Sequence, residues 1–257
     1  MNLPEAAYSV ELVKVRNSHR YRVIKNGIAK EFDGVTGALG VIAKPALIGW
    51  STREALKSAA DALRLRVGQS LTIDDAFIDA VMADARKKPE SIKTEAAELG
   101  TLAHAFIDEI IHGREPKDIP AAIRAPVLAF TEWWFGSGFD LVAGDTKVAS
   151  WRYSYGGSLD AVGRRGNHLV ILDWKTSNGI WPEYALQVAA YAQAFEETYG
   201  LKPQEGIVVR FSKTEPIEFE TKRVDSLPRS FAAFHHALEL KRKMAEAQFE
   251  EKQEVGL

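Results

Sequence analysis

The chain of 257 residues contains no cysteine. That absence removes disulfides, thiolate zinc sites, iron–sulfur clusters and a cysteine nucleophile together. Any metal must then be held by carboxylate, imidazole or carbonyl groups, a donor set that suits hard ions such as magnesium or manganese. An excess of charge of one sign is also missing: 33 Lys and Arg stand against 35 Asp and Glu, a net −2. This argues against a general coat for polyanions and leaves room for a local basic groove. No apolar run approaches the ~20 residues needed to span a bilayer. The opening Met1-Asn2-Leu3-Pro4-Glu5-Ala6-Ala7 has neither the basic segment nor the apolar core of a signal peptide. A soluble, cytoplasmic protein is the expectation. Hydrophobic residues at 46% and charged residues at 26% are those of an ordinary globular chain, and the length suffices for a large core.

Strands open the chain. Tyr8–Val15 and Tyr21–Lys25 are rich in β-formers, with Asn17-Ser18-His19 as turn residues between them. Asn26-Gly27 is a hairpin signal that returns the chain along Ile28–Phe32. From about Thr36 the period becomes helical. One helix is expected over Trp50–Arg66, with Ser51 as N-cap and Glu54 completing a capping box. Others are expected over Thr72–Lys88, stopped by Pro89, over Thr94–His112, stopped by Gly113, and over Pro120–Phe135, stopped near Gly136. Strands return at Thr146–Trp151, Gly157–Arg165 and His168–Lys175. A helix over Pro182–Tyr199, a strand over Gly206–Phe211, a short edge strand over Ile217–Thr221 and a helix from Ser226 to about Gln248 complete the chain. The fold class is α/β: a central mixed β-sheet flanked by helices, with a mainly helical N-terminal extension. Residues 1–93 make the N-terminal hairpin and helical extension, 94–223 the core and 224–257 the C-terminal helix, all expected as one compact unit.

The most informative stretch runs from Gly156 to Thr176. Gly166-Asn167 is a two-residue turn pair of the kind that closes an antiparallel hairpin. Arg165 then pairs with His168, and counting back along both strands sets Asp160 opposite Asp173. Directly opposed residues share a face, with Cβ atoms roughly 4.5–5.5 Å apart, and the strand period of two puts Lys175 there as well. Two like charges facing each other destabilise a bare hairpin. A divalent cation between them removes the conflict, and carboxylate oxygens suit magnesium. The lysine is placed to orient a nucleophilic water or to meet developing negative charge. Leu159, Ala161, Val170, Leu172 and Trp174 are expected on the opposite face, Trp174 toward the core, while Val162 and Ile171 make the site face partly apolar. A sheet apolar on both sides is covered on both sides. Taken alone, Asp160 reads as the start of a turn, and Asp173 with Lys175 as a surface pair. Three charges converging on one face point to a metal site, provided the register does not slip by one residue.

Two helices flank the hairpin. Pro182–Tyr199 has a core stripe, and beside it Gln187 and Tyr191 stand four apart, neighbours on the helix surface. Both can hydrogen-bond to phosphate or sugar, and the tyrosine ring can stack on a base; a boundary Gln and Tyr are also ordinary. In Thr94–His112, Gly100 and His104 stand four apart, and the mid-helix glycine suggests close approach of another group. His104 is either a contributor of imidazole to the same cation or a satisfied boundary histidine. The other five histidines read as surface residues. Arg152, Tyr153, Tyr155, Arg164, Arg165, Trp174, Trp181 and Tyr184 crowd the hairpin in sequence, a mixture suited to a single-strand groove; Trp133-Trp134 reads as packing.

Four segments in order, Gly100-Thr101-Leu102-Ala103-His104, Gly157-Ser158-Leu159-Asp160, Asp173-Trp174-Lys175-Thr176 and Gln187-Val188-Ala189-Ala190-Tyr191, resemble the PD-(D/E)XK nuclease superfamily, nearest its RecB-like and phage exonuclease branches. Gly34–Gly40 and Lys44–Trp50 also resemble N-terminal helical regions of phage-type members. The resemblance implies a restriction-endonuclease-like core and a bacterial or phage origin. It implies that Asp160, Asp173, the Trp174 carbonyl and His104 bind Mg2+ or Mn2+, with no iron–sulfur cluster. Asp160, Asp173 and Lys175 would be catalytic, Lys175 activating or orienting water. Gln187, Tyr191, Thr176, Arg152 and Arg164 would contact DNA. The departures from the family pattern are Leu159 before the first aspartate and Asp173 where glutamate is frequent. The function expected is a metal-dependent DNA nuclease, an exonuclease before an endonuclease, hydrolysing phosphodiester bonds by metal-activated water. The alternatives are a structure-selective endonuclease, an RNA-directed nuclease, or a catalytically silent nucleic-acid-binding protein. The partner implied is a single- or double-stranded DNA end in recombination or repair, with no membrane and with room for a homo-oligomer and a recombination partner protein.

Overall fold

The computed structural model describes residues 3–15, 18–69 and 73–254. Three antiparallel strands come first, β1 (Ser9–Val15), β2 (Ser18–Lys25) and β3 (Ile28–Gly34). Asn26 and Gly27 between β2 and β3 both have positive φ (50° and 77°), the turn whose twist matches that of the flanking strands. Then follow α1 (Val35–Leu39), α2 (Pro45–Arg64), α3 (Asp75–Ile111), α4 (Ala121–Ser137), β4 (Asp140–Ser150), β5 (Tyr155–Arg165), β6 (His168–Lys175), α5 (Pro182–Tyr199), β7 (Glu205–Phe211), β8 (Phe219–Arg223) and α6 (Leu227–Glu254).

All the strands join one eight-stranded mixed sheet in the order β1-β2-β3-β5-β6-β7-β8, with β4 also pairing β5. Strand β5 is its hub. One edge of β5 pairs with β4 from Tyr155 to Arg164. The other meets the end of β3 at Tyr155 and Gly156, in parallel, and then β6 from Ala161 to Arg165, antiparallel. Between those two contacts, residues 157–160 have no strand partner on that edge among the described residues.

The chain divides into two units, Met1–Ile42 with Leu102–Leu257, and Ala43–Thr101. In the first, both faces of the sheet are covered. Val188 and Phe195 of α5 and Phe234 and Leu238 of α6 share a buried cluster with Leu159, Val162, Ile171 and Val208. On the other face Phe130, Trp133 and Trp134 of α4 surround Trp174, with ring centroids 5.2, 5.3 and 6.4 Å away. The tryptophan pair is therefore packing, and the Trp174 ring faces the core. The second unit holds α2 and the first part of α3, whose start is capped by Asp74 Oδ1 accepting the Phe77 N–H at 2.8 Å.

Several elements differ from expectation. Helix α2 begins at Pro45, because a proline in the first turn forfeits no intrahelical bond. Ser51 is thus inside the helix and caps nothing, and Thr52 Oγ1 donates back to the Ile48 carbonyl at 3.1 Å. Pro89 ends no helix: α3 runs through it, so two expected helices are one. An interior proline costs about 3 kcal/mol; the Ala-, Lys- and Glu-rich flanks on both sides favour helix strongly enough to carry it. Pro126 is likewise inside α4, which passes Gly136 and ends where Gly138 turns left-handed (φ 68°). The boundary drawn at residues 93 and 94 falls within α3, and β1–β3 are continuous with the central sheet. Thr72, the expected start of a helix, and Asn17 of the first turn lie outside the described residues.

Candidate active site

Gly166 takes a positive φ (60°), and the β5–β6 ladder runs from Arg165↔His168 to Ala161↔Leu172, the expected register. The next rung would be Asp160↔Asp173, and it is not formed. Here the strands part. Asp160 Oδ2 accepts the Trp174 backbone N–H at 2.7 Å, so the carboxylate supplies the acceptor that a continuing ladder would have offered and no donor is orphaned.

The local chain path explains the parting. Asp145 of β4, which lies between the rungs Gly144↔Ala161 and Thr146↔Leu159, has φ 37°. Leu159 and Val162, three residues apart, both join the buried cluster of Val188. The alternation of period two is therefore interrupted across Asp160-Ala161. This corrects the expected faces, since Leu159 lies with Val162 and Ile171 rather than with Trp174. Irregularities of this kind bend a strand and re-aim a side chain, here toward His104 of α3, whose Nδ1 is 3.2 Å from Asp160 Oδ1.

Asp173 and Lys175 project from β6, with Lys175 Nζ 2.5 Å from Asp173 Oδ2. The same ammonium lies 4.9 Å from the centre of the Tyr184 ring on α5. The Asp173 side chain is 1% exposed. Burial, and then the Asp160 charge, push its carboxyl up to about 6 against the pull of Lys175. Burial also acts to raise Asp160, but His104, Lys175 and the Trp174 N–H more than offset it and hold that carboxyl below its ordinary range. Burial lowers His104 and Lys175, and in both the neighbouring carboxylates win, so each is raised. The site thus holds two unlike carboxylates, one well solvated by hydrogen bonds and charge, the other disposed to keep a proton or take up a further cation.

The donor set suits a hard divalent ion: two carboxylates, an imidazole and the Trp174 carbonyl. Asp173 Oδ2 is buried and engaged by Lys175 Nζ at 2.5 Å, so a divalent ion at this carboxylate would compete with that ammonium or bind the other oxygen. Among the described residues no three or more His, Asp or Glu side chains are already gathered as a metal cage; His104 and Lys175 act as the counter-charges.

Gln187 Nε2 donates to Tyr191 Oη at 2.8 Å on the α5 flank that faces Lys175. Tyr191 is only 4% exposed, with its ring over the backbone of Gly157. Its ring is therefore not a stacking platform, contrary to expectation, and only the hydroxyl end is offered to the site. Thr176 follows Lys175 directly and is half-buried. Arg164 is four residues along β5 toward the Gly166 turn, about 13 Å away. Arg152 is not brought to the carboxylates: it lies in the β4–β5 turn, its guanidinium over Tyr153 and its N–H bonded to Glu197 near the far end of α5.

Two carboxylates were not singled out from the sequence. A groove of about 400 Å³ beside Asp160 and His104 also includes Asp108 and Asp145. Asp108 Oδ1 is buried without a hydrogen bond and lies 3.3 Å from His112 Nδ1. The spacing His104, Asp108, His112 places these residues on one line of the helix and is a readable signal. Asp145 has no sequence signal, because its position depends on the kink in two strands.

The sequence profile of the PD-(D/E)XK nuclease superfamily matches residues 127–255, half of the chain. A search of curated proteins finds no match. Among solved structures the chain is similar to SSO0001, with 18% identity and a TM-score of 0.31 over 47% of this chain and 59% of that one, so it spans less than two thirds of SSO0001. It is similar to a candidate exonuclease from Eubacterium rectale, with 12% identity and a TM-score of 0.38 over 56% of this chain and 68% of that one. It is also similar to the alkaline exonuclease LHK-Exo of Laribacter hongkongensis, with 17% identity and a TM-score of 0.32 over 71% of this chain and 92% of that one. Among the described residues no helix is long and apolar enough to cross a membrane. On the profile match, the chain belongs to the PD-(D/E)XK nuclease superfamily.

Proposed function

We propose that the chain is a divalent-metal-dependent deoxyribonuclease that hydrolyses phosphodiester bonds from DNA ends. The observation that carries this reading is the meeting of Asp160, Asp173, Lys175 and His104 where β5 and β6 part. Asp160, Asp173, His104 and the Trp174 carbonyl would hold Mg2+ or Mn2+. When bound, such an ion supplies Lewis-acid stabilisation of phosphoryl charge and a lowered pKa for water. Lys175, held between Asp173 and the Tyr184 ring, is steered to orient the attacking water or to meet charge on the phosphate. The Asp173–Lys175 pair keeps that ammonium charged, since the neighbouring carboxylates raise it. Gln187, with one amide hydrogen committed to Tyr191, retains a second donor for phosphate or sugar, and Thr176 offers a hydroxyl beside it. Arg164 is a candidate contact farther along the strand. Preference for ends, assembly into a homo-oligomer, a recombination partner protein and a cytoplasmic location belong to the same reading and rest on the resemblance.

Digestion of end-labelled single- and double-stranded DNA, with and without manganese, is the test. Release of label that needs manganese and disappears in Asp173→Asn supports the reading. Cuts in circular DNA would make it an endonuclease, and cleavage of RNA alone an RNA-directed enzyme. Manganese binding that ignores both aspartates, with no cleavage, would make it a silent binding protein.

A further inference from the structure

A second cavity, of about 240 Å³, lies between the first turns of α5 and α6 and the end of β8. Its lining includes Trp181, Lys222, Arg223, Asp225 and Arg229. Arg223 is engaged by Glu205 at 3.1 Å. Lys222 and Arg229 are exposed, and neither has an ion pair among the described residues. Asp225 contributes one negative charge, so the cavity keeps a positive balance. Trp181 is 45% exposed at the lip. The first turn of α6 contains no acidic residue, but its backbone donors are largely committed, Arg229 N–H to Ser226 Oγ and Ser230 N–H to the Ser226 carbonyl, so an anion would be held by the side chains.

The register ties this cavity to the carboxylates. Asp173 pairs with Val208 and Val208 with Lys222, so Lys222 stands in the same row of the sheet, two strand spacings or about 10 Å from Asp173. Helical spacing puts Pro182 and Ala185 on one flank of α5, against this cavity, and Tyr184, Gln187 and Tyr191 on the other, against Lys175.

We propose that this cavity is a phosphate-binding subsite for the substrate strand: Lys222 and Arg229 take a phosphate a short distance along from the scissile one, while Trp181 stacks on the intervening base. Two uncommitted cations and an exposed indole are the combination with which proteins hold single strands. The subsite rests on the nuclease reading only for the placing of the scissile bond.

The test is binding of a fluorescent oligothymidylate of about 12 nucleotides to the full chain in EDTA, followed by anisotropy between about 50 and 200 mM salt. Lys222→Ala/Arg229→Ala should weaken binding at least about tenfold and flatten the salt dependence by ~0.7 in slope for each phosphate no longer neutralised. Lys222→Arg/Arg229→Lys should restore binding. Lys14→Ala/Arg22→Ala removes the same charge from the opposite end of the sheet and should leave affinity within about twofold, since a distant charge is screened at this ionic strength. Unchanged affinity in the Lys222/Arg229 variant, an equal loss in the Lys14/Arg22 variant, or no binding by the parent chain would overturn the subsite. Binding that depends on Lys222 and Arg229 in a chain that cleaves nothing with manganese would overturn the nuclease reading and leave the subsite standing.

Discussion

Gly157→Ala tests whether the backbone at Gly157 must lie directly under Tyr191. A Cβ built at Gly157 would stand 2.4 Å from Tyr191 Cε1, 3.0 Å from Cδ1 and 3.3 Å from Val35 Cγ2. Carbon atoms rest at about 3.5–4.0 Å, so the ring must retreat by roughly 1 Å. It has little room, being 4% exposed within the cluster of Val35, Val188 and Phe195. Overpacking of this kind costs about 1–3 kcal/mol. Loss of the 2.8 Å Gln187–Tyr191 hydrogen bond adds about 0.5–1.5 kcal/mol. A destabilisation of about 1.5–4.5 kcal/mol is therefore expected, or roughly 3–18 °C in Tm at about 2–4 °C per kcal/mol for a chain of this size. Urea denaturation measures the first and calorimetry the second. The decisive comparison is a double-mutant cycle with Tyr191→Leu, which removes the clashing ring atoms. The alanine should then cost at least about 1 kcal/mol less than in the parent. Strict additivity, or a Gly157→Ala protein as stable as the parent, would refute the close-approach account of this glycine.

Other outcomes follow from the same geometry. Lys175→Ala should lower cleavage by about 10²–10⁴-fold while calorimetric binding of manganese persists, because the lysine contributes no metal-ligating atom; unaltered turnover would remove its catalytic role. Removal of divalent ions with EDTA should abolish cleavage, and manganese should restore it except in Asp160→Asn and Asp173→Asn. Asp33, although burial acts to raise it, is held below the ordinary carboxylate range by Lys241, then Arg20 and Arg242, and accepts from Lys241 Nζ at 2.7 Å. Its folded pKa is below the unfolded value of 3.8, so its stabilisation is present above that pH and is lost as pH falls through the folded value. Asp33→Asn should cost about 1–3 kcal/mol at neutral pH and lessen the acid-side loss of stability, as read by urea titrations at neutral and acid pH.

What was legible in the sequence follows local rules. The turn pairs Asn26-Gly27 and Gly166-Asn167 each demand positive φ, and both form the turns they signal. The helix over Pro182–Tyr199 has a proline at its start and Gly200, left-handed, at its end, and its bounds are as expected. Where punctuation and propensity conflict, the sequence is ambiguous. Pro89 and Pro126 sit inside helices because their flanks are strong helix formers, and only tertiary context decides such a case. The continuity of β1–β3 with the central sheet rests on just two parallel rungs, Asp33↔Tyr155 and Gly34↔Gly156. No local pattern announces a pairing across more than a hundred residues.

At the carboxylates, register reasoning succeeds up to one rung and then fails for a physical reason. An unbroken ladder through Asp160↔Asp173 would hold two buried like charges at cross-strand distance, a destabilising arrangement. The chain relieves it by ending the ladder at Ala161↔Leu172 and turning Asp160 to the Trp174 N–H and to His104. Asp145, left-handed on the facing strand, accommodates the turn from the other edge. Alternation is thus lost at the position where the proposed chemistry would use two carboxylates without a direct face-to-face contact. A departure from local rules is more informative at such a point than agreement elsewhere. The same kink brings Asp145 to the groove beside Asp160, which Asp108 reaches separately from α3 one turn after His104, and spacing along a single strand could not have disclosed the place of Asp145.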